Sequence, residues 1–257
     1  PVSVAALMTG LKLGAYGLIR FVVPLAPDAA SDMHWLLAGF GVVGILYGAL
    51  GALAQTNLRR MLAFSSISHV GLVVLGLASL SLEGLQGAVF QLLNFTLVAG
   101  GLFLVTGFLH HRTGTTELGS LGGVTRTMPL LAGGFLILGL ASLGVPGTSG
   151  FPAELLLIMS ALHSHAGAGL AALCGAVLGA GYFLGAYRRA FLGPVTGPLV
   201  AEASDLRPRE LGVVAVAVVL VLTLGLFPQG ILDLSGTAAA RWVADLPAGA
   251  LADTPGP

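Results

Sequence analysis

Between Met128 and His163 a long apolar run is interrupted once, in a way that few folds can hold. It opens as MPLLAGGFLILGLASLG, breaks at Val145-Pro146-Gly147-Thr148-Ser149-Gly150-Phe151-Pro152, and resumes as Ala153-Glu154-Leu155-Leu156-Leu157-Ile158-Met159. Pro146, Gly147, Gly150 and Pro152 cannot continue a regular helix, because proline lacks the amide donor and glycine the backbone stiffness. Glu154, just past the break, is the only acidic residue inside any apolar run of the chain. Irregular backbone at membrane depth survives only where protein or water satisfies its polar groups. A broken helix bearing a carboxylate is therefore a candidate ion site at mid-membrane. The competing reading is an ordinary loop between two spans, with Glu154 at the water boundary. Against it, about a dozen apolar residues follow the break, fewer than the roughly 20 that a full crossing needs. The stretch reads as one discontinuous span.

Composition places that span in its class. The 257 residues are 56% hydrophobic and 9% charged, against roughly 25% charged in soluble domains. The expected fold is all-α, a polytopic transmembrane bundle of about seven spans. Formal net charge is zero, which excludes a nucleic-acid partner recognised through phosphate charge. The lone Cys174 excludes a disulfide framework and a thiolate metal cluster. The 39 glycines are scattered through apolar helices, which suits close helix packing better than phosphate binding. The sequence opens at Pro1 almost directly in a span, with no signal-peptide pattern, so it is expected to be a fragment with an upstream part.

The spans are expected at about Ser3–Leu25, His34–Ala54, Met61–Leu80, Gly87–Leu109, the broken Met128–His163, Gly167–Tyr187 and Leu211–Leu232. Residues 1–233 then form the bundle, and 234–257 a tail with a weakly amphipathic piece around Arg241-Trp242. The connectors after the second, fourth and sixth spans carry Arg59, Arg60, Arg112, Arg126, Arg188, Arg189, Arg207 and Arg209. Those after the first, third and fifth carry none, and the tail carries only Arg241. By the positive-inside rule, the N-terminal edge faces the cytoplasm and the C-terminus the outside.

Three titratable residues lie within spans: Lys12, His69 and Glu154. Removal from water penalises the charged form of each, so one nearby charge can flip its protonation state. Such a trio is what a proton relay requires. Each also has a plainer reading: Lys12 snorkelling to an interface, His69 as a packing histidine, Glu154 as a boundary residue. Ser65 lies one turn from His69 on one helical face, Ser68 lies in the same span, and Asn94 and Thr96 lie inside the fourth span; these four polar groups could hold water. His110, His111, His163 and His165 sit at span ends with no carboxylate at ligand spacing, so no metal site is expected.

These stretches also resemble a known family. Gly10-Leu11-Lys12-Leu13-Gly14-Ala15-Tyr16-Gly17-Leu18-Ile19-Arg20-Phe21, then QTNLRRMLAFSSISHVG (Gln55 to Gly71), GAVFQLL (Gly87 to Leu93) and LASLGVPGTSGFPAELLLI (Leu140 to Ile158) are similar to the antiporter-like membrane subunits of respiratory complex I. The nearest resemblance is to the subunit M (chain 4) branch, in a family shared with Mrp antiporters. It implies that the seven spans are the eighth to fourteenth of a 14-helix fold, and that the tail lacks the long lateral helix of subunit L. It implies that Lys12 is the family's central lysine, His69 the histidine beside it, and Glu154 the terminal carboxylate on the broken helix. Two positions depart from the pattern. Phe95 stands where a second relay histidine is usual, and Asn57 where aspartate is commoner in this branch.

The function so implied is proton translocation by a non-redox subunit of an NADH:quinone oxidoreductase, an enzyme complex in which this chain holds no redox centre. NADH, FMN, iron–sulfur clusters and quinone are expected in partner subunits, and no cofactor or metal in this chain. The expected partners are the other membrane subunits, the lipid bilayer and H⁺, with Na⁺ the alternative cargo. The expected location is the bacterial inner membrane. Alternatives are an Mrp-type Na⁺/H⁺ antiporter subunit, a subunit of a related hydrogenase or CO2-hydrating complex, and a structural paralogue whose relay Phe95 has cut.

Overall fold

The computed structural model describes residues 12–244 and residue 246. The start of the expected first span and the end of the expected tail lie outside the described residues. All described secondary structure is helical apart from one isolated bridge between Asn57 and Glu117. Residues 12–17 are helical and pass through a π-helical turn at Leu18–Val22 into Val23–Leu25. The principal helices follow: α1 (His34–Leu53), α2 (Leu58–Ala78), α3 (Leu82–Thr113), α4 (Pro129–Ser142), α5 (Gly150–Ser164), α6 (Ala166–Ala190), α7 (Pro208–Leu226) and α8 (Gln229–Ala244). Five of them, α1, α2, α3, α6 and α7, are long and apolar enough to cross a membrane singly.

Helices α4 and α5 have 14 and 15 residues. At 1.5 Å per residue each reaches about 21–23 Å, short of a ~30 Å hydrocarbon core. Only in series do they make a crossing, so the broken run is one discontinuous span. Its gap is displaced from the sequence expectation. Helix α4 stops at Ser142, and α5 begins at Gly150, so Pro146 and Gly147 lie in the gap while Gly150 and Pro152 open the second half. The reason is that the first-turn amides of a helix have no intrahelical acceptor, so Pro152 there forfeits no bond. The gap itself turns at two left-handed glycines, Gly144 (φ 63°) and Gly147 (φ 91°).

The chain also departs from expectation beyond α7. That helix ends at Leu226, short of Leu232, because Pro228 cannot continue it. Helix α8 then starts at Gln229 and runs across the expected bundle–tail boundary at 233. It packs against α3, and Trp242 Nε1 donates to the Ile19 carbonyl at 3.0 Å.

Helices α1 and α2 approach closely because glycine leaves room. A Cβ on Gly71 would lie 2.6 Å from the Ile45 amide nitrogen. Asn57 caps α2, accepting from the Arg59 and Arg60 amides at 3.0 and 3.4 Å. Its Nδ2 donates to Glu117 at 2.8 Å. An aspartate at 57 would cap equally well but would oppose the Glu117 charge, which accounts locally for asparagine here.

The connectors after α1, α3 and α6 meet at one end of the bundle. Leu58 N–H donates to Thr116 O (2.9 Å), Leu118 N–H to Thr56 O (2.8 Å) and Thr125 N–H to Phe191 O (3.0 Å). This end carries the arginine-rich loops. Arg112 at the end of α3 pairs with Glu210 in the first turn of α7 and donates to the Ser204 carbonyl at 2.8 Å. Asp205, in the loop so held, accepts from Leu130 N–H (2.8 Å) and Leu131 N–H (3.1 Å). A residue remote in sequence thus caps α4, whose own N-cap Met128 offers no side-chain bond. Asp205→Ala is expected to destabilise the protein by about 1 kcal/mol, the usual weight of a lost N-cap. A lower thermal midpoint in detergent, unchanged in a distant surface variant, checks this.

Candidate functional site

Three helices and the break converge on Glu154. In α2, Ser65, Ser68 and His69 fall on one face, at spacings of three and four residues. In α3, Gln91, Asn94 and Phe95 repeat the same spacing. Helix α5 supplies Glu154 close to its start, and α6 supplies Tyr182.

His69 Nδ1 stands 3.7 Å from Glu154 Oε1, and both side chains are largely shielded. Gln91, which is 1% exposed, places Nε2 3.4 Å from the same His69 nitrogen. Asn94 Nδ2 donates to Gln91 Oε1 at 3.2 Å, and Ser149 Oγ in the break donates to Asn94 Oδ1 at 2.6 Å. A charged group far from water is tolerated only when paired and hydrogen-bonded. Here His69 is the polar partner of Glu154.

The gap is satisfied by protein, as membrane depth demands. Val145 N–H reaches Leu140 O (3.2 Å), Thr148 N–H reaches Val145 O (3.1 Å), and Ser149 N–H crosses to Val221 O of α7 (3.0 Å). Gly144 is placed directly over the carboxylate: a Cβ there would lie 2.5 Å from Glu154 Oε2.

Two cavities flank His69. One is lined by Ser68, His69, Ser142, Glu154 and Tyr182 among others. The second, on the α3 side, is lined by Ser65, His69, Gln91, Asn94 and Phe95 among others. The Phe95 ring centre lies 6.2 Å from that of His69.

The structure therefore brings together His69 and Glu154, with Ser65, Ser68 and Asn94 around them. It does not bring in the others. Thr96 turns its hydroxyl back to its own helix, donating to Leu92 O at 2.9 Å, and lines neither cavity. Lys12 is partly exposed on the N-terminal helical stretch, and among the described residues no hydrogen bond or ion pair joins it to His69 or Glu154. Sequence reasoning overlooked Gln91, Ser149, Gly144 and Tyr182. Gln91 carried a signal: it is an uncharged polar residue inside an apolar run, one helical turn before Asn94. Among the described residues, no group of three or more His, Cys, Asp or Glu is placed to hold a metal.

Residues 1–179 match the family model described as NADH:quinone oxidoreductase/Mrp antiporter, TM. The chain is 37% identical over 235 residues to NADH-quinone oxidoreductase subunit M of Rickettsia bellii, covering 91% of this chain and 48% of that protein. It is 40% identical over 252 residues to NAD(P)H-quinone oxidoreductase chain 4 1 of Synechococcus elongatus, covering 94% and 47%. The chain thus spans about half the length of the curated relatives it matches. Among solved structures, a chain of respiratory complex I from Thermus thermophilus with bound NADH superposes with TM-score 0.87 at 33% identity, over 92% of this chain and 50% of that one. A chain of the Mrp complex from Dietzia sp. superposes with TM-score 0.83 at 28% identity, over 95% and 53%.

Proposed function

We propose, from the premise that this chain belongs to the NADH:quinone oxidoreductase/Mrp antiporter transmembrane family, that it is part of a non-redox, proton-translocating subunit of an NADH:quinone oxidoreductase. The observation that carries the proposal is the His69–Glu154 pair, 3.7 Å apart beside the break. A carboxyl and an imidazole at that separation exchange a proton with a small adjustment of either side chain or through one water. Charge on either partner changes the cost of charge on the other, so a change elsewhere in the complex can drive the transfer.

Phe95 cannot carry a proton. The cavity lined by Ser68, His69, Glu154 and Tyr182 does not include Phe95, and its polar side chains offer the path a way past that ring. Lys12 enters the proposal from the resemblance, as the group that exchanges protons with His69 from the N-terminal side. NADH, FMN, iron–sulfur clusters and quinone belong on partner subunits, and electron transfer there supplies the energy. The arginine-rich end faces the cytoplasm of the bacterial cell, following the positive-inside rule.

The test is NADH-driven proton pumping in inverted membrane vesicles that carry the full-length subunit with His69→Gln or Lys12→Ala. Both variants are expected to assemble, to oxidise NADH, and to pump at a clearly lower ratio of protons to NADH. An unchanged ratio in both overturns the relay. A gradient formed by Na⁺, insensitive to NADH, would instead assign the subunit to an Mrp-type antiporter.

A further inference from the structure

Trp242 makes one hydrogen bond whose need can be traced along the chain. The helix that carries Lys12 passes through the π turn Leu18–Val22, where Val23 N–H reaches back five residues to Leu18 O instead of four to Ile19 O. Residue 24, the donor that the same register would offer Ile19 O, is a proline and has no N–H. The Ile19 carbonyl is thus left without a backbone donor, and Trp242 Nε1 of α8 supplies one at 3.0 Å. An indole nitrogen only donates and a carbonyl only accepts, so this bond has a single direction. In a regular α-helix the accounting changes: Val23 N–H would serve Ile19 O, and Pro24 would orphan Arg20 O instead. One carbonyl goes unserved by the backbone in either register, and the indole is placed to serve only that of the π register.

The register also decides which residues share a face. Ala15 and Val23 flank the turn, and both are buried, at 3% and 2% exposure. Eight residues of regular α-helix would set them about 80° apart, whereas absorbing one residue in the turn brings them within about 20°. Trp242 packs against both of the apolar clusters that hold them. Lys12 stands one helical turn before Ala15, on the same side of the helix.

We propose that Trp242 is a positioning residue: its indole holds the π register, and through it the side on which Lys12 meets the bundle. The register stands on the hydrogen bonds alone, whereas its consequence for transport rests on the relay reading of Lys12. Without the indole N–H, one carbonyl is unserved in both registers, so the π turn loses its advantage over the ordinary α-helix. A return to the α register turns residues 12–17 by about 100° against Val23. Ala15 or Val23 must then leave the core, and Lys12 turns with Ala15.

Maleimide labelling reads the register. Ala15→Cys and Val23→Cys are introduced separately into the full-length subunit carrying Cys174→Ala, assembled in its complex. Attachment of N-ethylmaleimide at the new cysteine is followed by mass spectrometry. Trp242→Phe, which keeps an aromatic ring in place but removes the N–H, is expected to raise the labelling rate at one of the two positions roughly 5-fold, the equilibrium weight of one ordinary hydrogen bond. A role in packing alone would leave both rates unmoved. Pro24→Ala approaches from the other side: it keeps the indole but gives Arg20 O its donor in the α register, and the same rise is expected. A wild-type rate at both positions in either variant overturns the proposal. Protons pumped per NADH oxidised are measured on Trp242→Phe and Pro24→Ala without the added cysteines, and the ratio is expected to fall. Labelling that rises while pumping stays at the wild-type ratio supports the register and removes Lys12 from the relay, so the two readings fail separately.

Discussion

Glu154→Gln is expected to reduce proton pumping while leaving the complex assembled and oxidising NADH. The slowed step should lose on the order of 100-fold, the usual contribution of a positioned acid–base group. Glutamine occupies nearly the same volume, so the packing around Ala153, Leu157 and the gap is retained. It also removes the cost of holding a carboxylate away from water, so folding stability should not fall. What glutamine lacks is a proton to release and a charge to offer His69, 3.7 Å away. The measurement is the ratio of protons moved to NADH oxidised in inverted vesicles. A ratio equal to wild type would mean that Glu154 is a structural carboxylate and that protons travel elsewhere.

Gly144→Ala should reproduce much of that loss without touching any titratable group. Gly144 adopts φ 63°, where an L side chain costs about 1–2 kcal/mol. Its added Cβ would also stand 2.5 Å from Glu154 Oε2, so the carboxylate must move. Pumping is expected to fall toward the Glu154→Gln level, with a lower thermal midpoint. Gly147→Ala separates the two causes. Gly147 has φ 91°, yet nothing lies within 4 Å of a Cβ built there. It should therefore carry the backbone strain alone, losing stability but little pumping. If both variants pump alike, the position of the Glu154 carboxylate is not what Gly144 protects.

Much of the architecture was legible because apolar length and breaker residues act locally. A 20-residue apolar run such as His34–Leu53 has one stable solution in a bilayer, a helix that satisfies its own backbone. Pro146 and Gly147 cannot sit inside one. The alternation of arginine-rich connectors anticipated which loops gather at one end, and Leu58, Leu118 and Thr125 join those loops by backbone hydrogen bonds. Boundaries were less legible. Gly150 and Pro152 resemble breakers in sequence, but a helix's first turn tolerates both.

The site divides along the same line. The sequence by itself determined that Glu154 and His69 lie within apolar spans and that a carboxylate follows a broken helix, because burial of ionisable groups is costly wherever the chain is folded. Only the tertiary structure decided their partners. Gln91 and Ser149 are 58 residues apart in sequence, and their connection through Asn94 exists because α3 packs against the break. Thr96, equally polar and two residues from Asn94, is excluded because its hydroxyl bonds back to Leu92 of its own helix. Side-chain type is encoded residue by residue, whereas hydrogen-bond partnership depends on distances of a few ångströms that only helix packing sets.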